Sequence, residues 1–257
     1  MALPDIRHLS VSFDGVQALD DVSLSVPEGQ LYSLVGPNGA GKTTVFNCIS
    51  RICRRYVGEV RFRDQDVSSL APHDVSAAGI GRTFQNIELF AGMTVLENIM
   101  LGRHRKMRSG LFGSLVFTRG ARRVETEARR AAEEIIDFLE MEEVRHQTVG
   151  DLPYGIRKKV EIGRAMATDP DLLLLDEPAA GMSTEEREEL AFWLREIRSE
   201  LGTTLFLVEH DMRFVMEMSD QVCVLDSGRV IAAGLPADVQ QDPAVRAAYL
   251  GGASHAS

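Results

Sequence analysis

The 257-residue chain holds only three cysteines and four lysines, has no apolar run approaching a bilayer's thickness, and carries no surplus of positive charge. Each shortage closes off a class of protein. Cys48, Cys53 and Cys223 are too few and too irregularly spaced for a zinc cluster or a disulfide framework, so buried, reduced thiols are expected. Crossing a membrane takes about 20 consecutive apolar residues; without them, any membrane role must run through partner proteins. Lys+Arg number 28 against 38 Asp+Glu, a net charge of −10. A general nucleic-acid binder should be basic, so that class is set aside, and any polyanion held here must be gripped locally. Met1 to Ser10 contains Asp5, Arg7 and His8 and no apolar segment, so no secretory leader is expected. Internal repeats and low-complexity tracts are missing as well.

What remains is enough hydrophobic sequence, 44%, for one large domain, or one domain with an inserted lobe. Residues 36 to 44 read Gly36-Pro37-Asn38-Gly39-Ala40-Gly41-Lys42-Thr43-Thr44, which matches the phosphate-loop pattern G-x-x-x-x-G-K-[ST]. Its glycines let the chain curl and aim backbone N–H groups at one anion. The helix that follows turns the positive end of its dipole toward the same phosphates. Lys42, one of only four lysines, is expected to reach the β- and γ-phosphates, and the Thr43 hydroxyl to sit on a bound Mg²⁺. The context agrees: the apolar run Leu31 to Val35 reads as a buried parallel strand, and Val45, Phe46, Ile49 and Ile52 follow at helical spacing.

A second signal is Leu172-Leu173-Leu174-Leu175-Asp176-Glu177. Four consecutive leucines require a strand covered on both faces. Such a strand delivers its terminal carboxylates to the carboxyl edge of the sheet, where ligands of open α/β folds bind. Asp176 is expected to hold Mg²⁺, directly or through water. Glu177 points the other way and can address a water in line with the γ-phosphate.

Elsewhere, Val11, Phe13, Val22, Leu24 and Val26 alternate as in a small antiparallel sheet, with turns at Asp14-Gly15 and Pro27 to Gly29, and Glu59 to Phe62 resume the pattern. A short helix is expected over 72 to 79. The strand signal disappears from about 86 to 160. There Thr94 caps a helix, residues 102 to 120 read as a Gly- and Arg-rich loop or short helices, and Glu125 to Met141 form a charged amphipathic helix. The basic cluster from Arg103 to Arg108 reads as a solvated loop ahead of a lipid or partner contact. Sheet character returns at Asp171 to Leu175. A helix from Ser183 to Glu200, a strand from Thr203 to Val208, a helix from Met212 to Met218 and a marginal hairpin around Asp226-Ser227-Gly228 follow. The Gly251 to Ser257 tail is expected to be disordered.

The phosphate loop, Gln85, Leu152-Pro153-Tyr154-Gly155-Ile156, Leu172 to Glu177 and His210 stand in the order and spacing of an ABC-transporter nucleotide-binding subunit, which the chain resembles from Phe13 to Leu250. The resemblance implies an α/β fold: a P-loop NTPase, RecA-like core with an antiparallel β subdomain and an inserted α-helical subdomain. Residues 1–85 and 161–257 would form the core and 86–160 the helical, signature-bearing part. It implies that Phe13 stacks on adenine, that Gln85 contacts Mg²⁺ and the attacking water, and that His210 hydrogen-bonds the γ-phosphate. The signature segment, here Pro153, Tyr154 and Gly155, would face the ATP of a second cassette. Two positions depart from the common pattern. Pro153 replaces a serine and offers neither hydroxyl nor N–H, and Ser183 stands where an aspartate usually follows the catalytic glutamate.

Finer likeness lies in Gly81 to Gln85, Leu89-Phe90, Met93 to Val95 and Pro178 to Met182, which resemble importers of branched-chain and other hydrophobic amino acids. That implies a peripheral ATPase at the cytoplasmic face of the inner cell membrane. Its partners would be two transmembrane permease subunits, a second ATP-binding subunit (a heterodimer ahead of a homodimer) and, indirectly, an external solute-binding protein. The groove near Asn86 to Leu101 would dock a permease helix. An ATPase for lipopolysaccharide export or for urea and short-amide import is the alternative. A soluble cassette acting on ribosomes or DNA fits less well, since the chain has one cassette and no heptads. A small-molecule kinase would need a phosphoacceptor site, which nothing in the sequence suggests.

Overall fold

The alternation in the first thirty residues becomes two long strands, β1 (Ala2–Phe13) and β2 (Val16–Pro27). Their link, Asp14-Gly15, has φ of 47° and 87°, the left-handed pair that a two-residue hairpin needs. In the computed structural model, which describes residues 2–83, 88–106 and 119–251, β3 (Leu31–Val35) runs into the glycine loop and α1 (Lys42–Ile49) leaves it. Next come β4 (Val57–Phe62), β5 (Gln65–Asp66) and β6 (Ile80–Arg82). A helical stretch follows: α2 (Val95–Lys106), α3 (Arg119–Phe138) and α4 (Tyr154–Met166). The chain then alternates through β7 (Leu172–Asp176), α5 (Thr184–Leu201), β8 (Thr204–Val208) and α6 (Met212–Met218). It closes with the hairpin β9 (Gln221–Asp226) and β10 (Arg229–Gly234), then α7 (Pro236–Gln241) and α8 (Pro243–Gly251).

Two sheets organise these elements. The antiparallel one has the order β2-β1-β4-β5, and the larger one β10-β9-β3-β8-β7-β6. In the larger sheet only the β10 edge is antiparallel. The leucine run explains how this sheet is sandwiched. Leu173 and Leu175 pack with Leu205 and Leu207 against α2 to α5. Leu172 and Leu174 pack with Phe206 and Val208 against α1 and the small sheet. Successive strand residues point to opposite faces, and both faces are dry.

Four expectations shift. Residues 72 to 79 form a series of turns, because Val75 is the only large apolar side chain buried there and a helix would have no stripe to bury. Ile52 lies outside α1, which ends when Arg51 adopts φ of 60° and leaves Ile52 half-exposed. β6 is a strand the alternation did not show, since three residues reading Ile-Gly-Arg carry no pattern. The amphipathic helix stops at Phe138; Leu139 and Met141 remain in the core through a turn in which the Met141 N–H donates to Ile136 O at 2.9 Å. Thr94 does cap α2, with Glu97 reaching back to the Thr94 N–H at 2.8 Å. Most of the 102 to 120 segment, part of the basic cluster and the residues after Gly251 lie outside the described residues.

Leu174 is fully buried in β7, between β8 and β6. Leu174→Ala should lower unfolding free energy by about 2–5 kcal/mol in chemical denaturation. A loss below about 1 kcal/mol would show that the two-faced packing described here does not anchor the sheet.

Candidate active site

The glycine loop sits where β3, flanked by β8 and β9, meets α1. Gly36 has φ of 152°, and a Cβ there would stand 2.0 Å from Leu225 O, so no other residue fits. Gly41, with φ of 101°, occupies the N-cap of α1 and supplies no capping side chain. The amides of the first turn, at Lys42, Thr43 and Thr44, are therefore left for an external acceptor, and no acidic side chain competes for them. Asn38, Gly39 and Thr43 are exposed, Pro37 and Thr44 half-buried, and Ala40 packs inward.

Lys42 is buried and bent back on the loop. Its Nζ donates to Gly36 O at 2.7 Å and Pro37 O at 2.9 Å. Burial holds this ammonium below the ordinary lysine range, and the charges of Glu177, Asp176 and Glu209 oppose that shift. The buried Lys42 ammonium therefore stands among three carboxylates, each at or just beyond the end of a parallel strand.

Those carboxylates differ in circumstance. Asp176 closes β7 and is only 2% exposed. Its Oδ2 accepts from an Arg82 guanidinium nitrogen at 3.0 Å, and its backbone N–H points to Thr83 Oγ1 at 3.3 Å. Burial pushes the carboxyl above the usual range while Arg82 pulls it back. Its Oδ1 has no hydrogen-bond partner among the described residues. A buried carboxylate oxygen left open beside a phosphate loop suits a hard divalent cation, which seeks oxygen ligands. Thr43 and Asp176 thus fit Mg²⁺; Gln85, the third candidate, lies outside the described residues.

Glu177 begins the loop after β7 in the left-handed region, with φ of 48°, and its N–H donates to Val208 O at 2.9 Å. Non-glycine residues are uncommon there, and the twist turns Glu177 away from the strand line. His210 Nδ1 lies 4.0 Å from Glu177 Oε2 and 3.7 Å from Glu209 Oε2, on a side chain 56% exposed. The phosphate loop, Asp176, Glu177 and His210 are thus gathered at one sheet edge. Phe13 stands apart, at the end of β1 in the other sheet, and is half-exposed.

Pro153 is the N-cap of α4 and makes no side-chain cap. Tyr154 turns its hydroxyl onto its own chain, donating to Ala180 O at 3.0 Å. Gly155 abuts α5, where a Cβ would stand 2.4 Å from Glu186 Oε1. Ser183 and Glu186 form a reciprocal capping box at the start of α5, which gives the serine standing in place of aspartate a defined structural task.

Two participants escaped the sequence reading. Glu209 is buried; its Oε1 accepts from the Ala179 N–H at 2.9 Å and its Oε2 from the His210 N–H at 3.2 Å, while burial pushes its carboxyl upward. The available signal was a carboxylate after the wholly apolar β8, the same arrangement that identified Asp176. Arg82 was read only as part of a family-like segment. It also donates to Asn47 Oδ1 at 2.9 Å and Ser50 Oγ at 2.6 Å, joining α1 to β7 through Asp176. Arg82→Met should cost about 3–5 kcal/mol of stability by stranding a buried carboxylate, and adding Asp176→Asn should restore most of it. Chemical denaturation of the single and double variants checks this; a loss below about 1 kcal/mol for the single variant would remove Arg82 from that role.

Comparison with known proteins agrees with this geometry. Residues 19–180 match the family model described as ABC transporter. Residues 229–255 match the model described as branched-chain amino acid ATP-binding cassette transporter. The chain is 38% identical over 249 residues to the high-affinity branched-chain amino acid transport ATP-binding protein LivG of Escherichia coli strain K12, covering 97% of this chain and 98% of LivG. Among solved structures, the ADP conformation of MJ1267, an ATP-binding cassette of an ABC transporter, aligns with a TM-score of 0.85 at 31% identity, over 98% of this chain and 99% of that one. The dimeric structure of MJ0796, a bacterial ABC transporter cassette, aligns with a TM-score of 0.76 at 25% identity, over 91% and 99%. A glycine loop, an acidic strand end and full-length likeness coincide in one molecule: the chain belongs to the ABC transporter family, as an ATP-binding cassette of the branched-chain amino acid type.

Proposed function

We propose that this cassette binds and hydrolyses ATP to energise uptake of branched-chain and other hydrophobic amino acids. It would do so at the cytoplasmic face of the membrane, through two separate permease subunits and a second ATP-binding subunit. The observation that carries this reading is Lys42, buried among Asp176, Glu177 and Glu209, in a chain so alike in length and sequence to LivG. The match at residues 229–255 favours amino-acid import over lipopolysaccharide export. In this reading residues 1–85 and 161–257 are the nucleotide-binding core, and 86–160 the helical part that carries Pro153 to Gly155 toward the other cassette.

The chemistry follows from the side chains. The first-turn amides of α1 and Lys42 neutralise the β- and γ-phosphates, with Lys42 exchanging its loop carbonyls for phosphate oxygens. Thr43 Oγ1, Asp176 Oδ1 and Gln85 would hold Mg²⁺, which would supply positive charge to offset the charge developing on the phosphates. Glu177 orients the attacking water and accepts its proton as the bond from the γ-phosphorus to the leaving ADP oxygen breaks. His210, poised between Glu177 and Glu209, donates toward the γ-phosphate. Phe13 offers an exposed ring to the adenine. Pro153 lacks the hydroxyl that a partner's phosphate would use, so the more active site would form where this chain's phosphate loop meets a different subunit's signature.

Lys42→Ala should weaken ATP binding by about 10- to 100-fold, the worth of one or two hydrogen bonds from a charged group; unchanged affinity by calorimetry would overturn the assignment. Glu177→Gln should bind ATP within about twofold of the parent yet lose about 10²- to 10⁴-fold in turnover, and near-normal phosphate release would displace Glu177 as the base. The pure chain alone should be a feeble ATPase. Robust turnover without any partner would reject the heterodimer.

A further inference from the structure

The loop that follows Glu177 is held from two sides. On one, the buried Glu209 carboxylate accepts the Ala179 N–H at 2.9 Å. Within the loop, the Ala180 N–H donates to Glu177 O at 3.2 Å and the Met182 N–H to Ala179 O at 3.3 Å, so its residues turn as one piece with Glu177. On the other side stands Tyr154. Its hydroxyl donates to Ala180 O at 3.0 Å, and its ring lies 3.6 Å from where a Cβ of Gly181 would be. Arg157 crosses the same ring, 5.9 Å from its centre, and helps fix its orientation.

The seam around this contact is poorly filled. A partly open cavity of about 80 Å³ lies beside it, lined by Pro153, Ile156, Met182, Leu190 and Trp193 among others. Close-packed interiors transmit displacement by contact, and a cavity interrupts that transmission. A directed hydrogen bond across such a seam therefore carries a larger share of the coupling. Gly155 and the Ser183–Glu186 capping box give the seam a second point of close approach.

We propose that Tyr154 is a positioning residue: its hydroxyl ties the start of α4 to the 178–182 loop of the same chain, so that a displacement of α4 reaches the Glu177 carboxylate. The inference rests on the ATP-hydrolysing reading for its consequence, because α4 begins where a second cassette's nucleotide would press. A subunit would then sense through Tyr154 what its neighbour holds and adjust its own Glu177 accordingly. The link runs within one chain and uses a side chain where the common signature has glycine.

The test is Tyr154→Phe in the full chain, which keeps the ring and removes one hydrogen-bond donor. Without nucleotide, amide hydrogen exchange at Ala179, Ala180 and Met182 should quicken by about three- to tenfold, the worth of one hydrogen bond, while β3 and β8 exchange as before. With Mg·ATP, kcat should fall by a similar factor and KM should stay within about twofold. Unchanged exchange in the loop would overturn the clamp. So would a fall in activity carried by KM, or one matched by faster exchange throughout the core, since either marks a merely structural role. The exchange measurement uses no ATP, so its failure is separate from failure of the ATP-hydrolysing reading, which Lys42→Ala binding and Glu177→Gln turnover decide.

Discussion

A single buried ammonium facing three carboxylates is the constraint from which the rest of this molecule follows. Charges cannot be gathered in a dry place without compensation, and each compensation is visible. Lys42 leans on two carbonyls of its own loop. Asp176 takes Arg82, which is itself braced by Asn47 and Ser50 of the α1 region. Glu209 accepts two backbone amides. What stays uncompensated is informative: one oxygen of Asp176 has no hydrogen-bond partner among the described residues and the first turn of α1 has no side-chain cap, and together they suit a metal-bound polyphosphate.

The fold serves that arrangement. Parallel strands covered on both faces bring their carboxyl ends to one edge, so β3 delivers the loop, β7 delivers Asp176 and Glu177, and β8 delivers Glu209 and His210. The left-handed backbone at Glu177 turns the chain away from the strand line immediately after Asp176. The helices α2 to α4 bury their apolar faces on the far side of the same sheet. The start of α4 touches the loop beyond Glu177 directly, through Tyr154.

Much of this was legible in the residues, for physical reasons. The Gly36 to Thr44 loop is readable because its geometry tolerates so few side chains; a Cβ at Gly36 would meet a backbone oxygen. The leucine run is readable because only a strand buried on both sides can use it. Arg82 was not, because a three-residue strand has no period and its partner is nearly a hundred residues away. Glu209 was overshadowed by the histidine beside it. The expected helix over 72 to 79 failed because local propensity without a buried stripe does not make a helix. The Tyr154 contact could not be foreseen, since which carbonyl a tyrosine hydroxyl finds is decided by tertiary packing.

The most direct measurement is a crystal structure of the Glu177→Gln chain with Mg²⁺ and ATP. The account predicts Lys42 Nζ within hydrogen-bonding distance of the β- and γ-phosphate oxygens, with Asp176 Oδ1 on the metal directly or through one water. A nucleotide bound with its phosphates away from Lys42, or a metal ligated without Asp176 or its water, would contradict it.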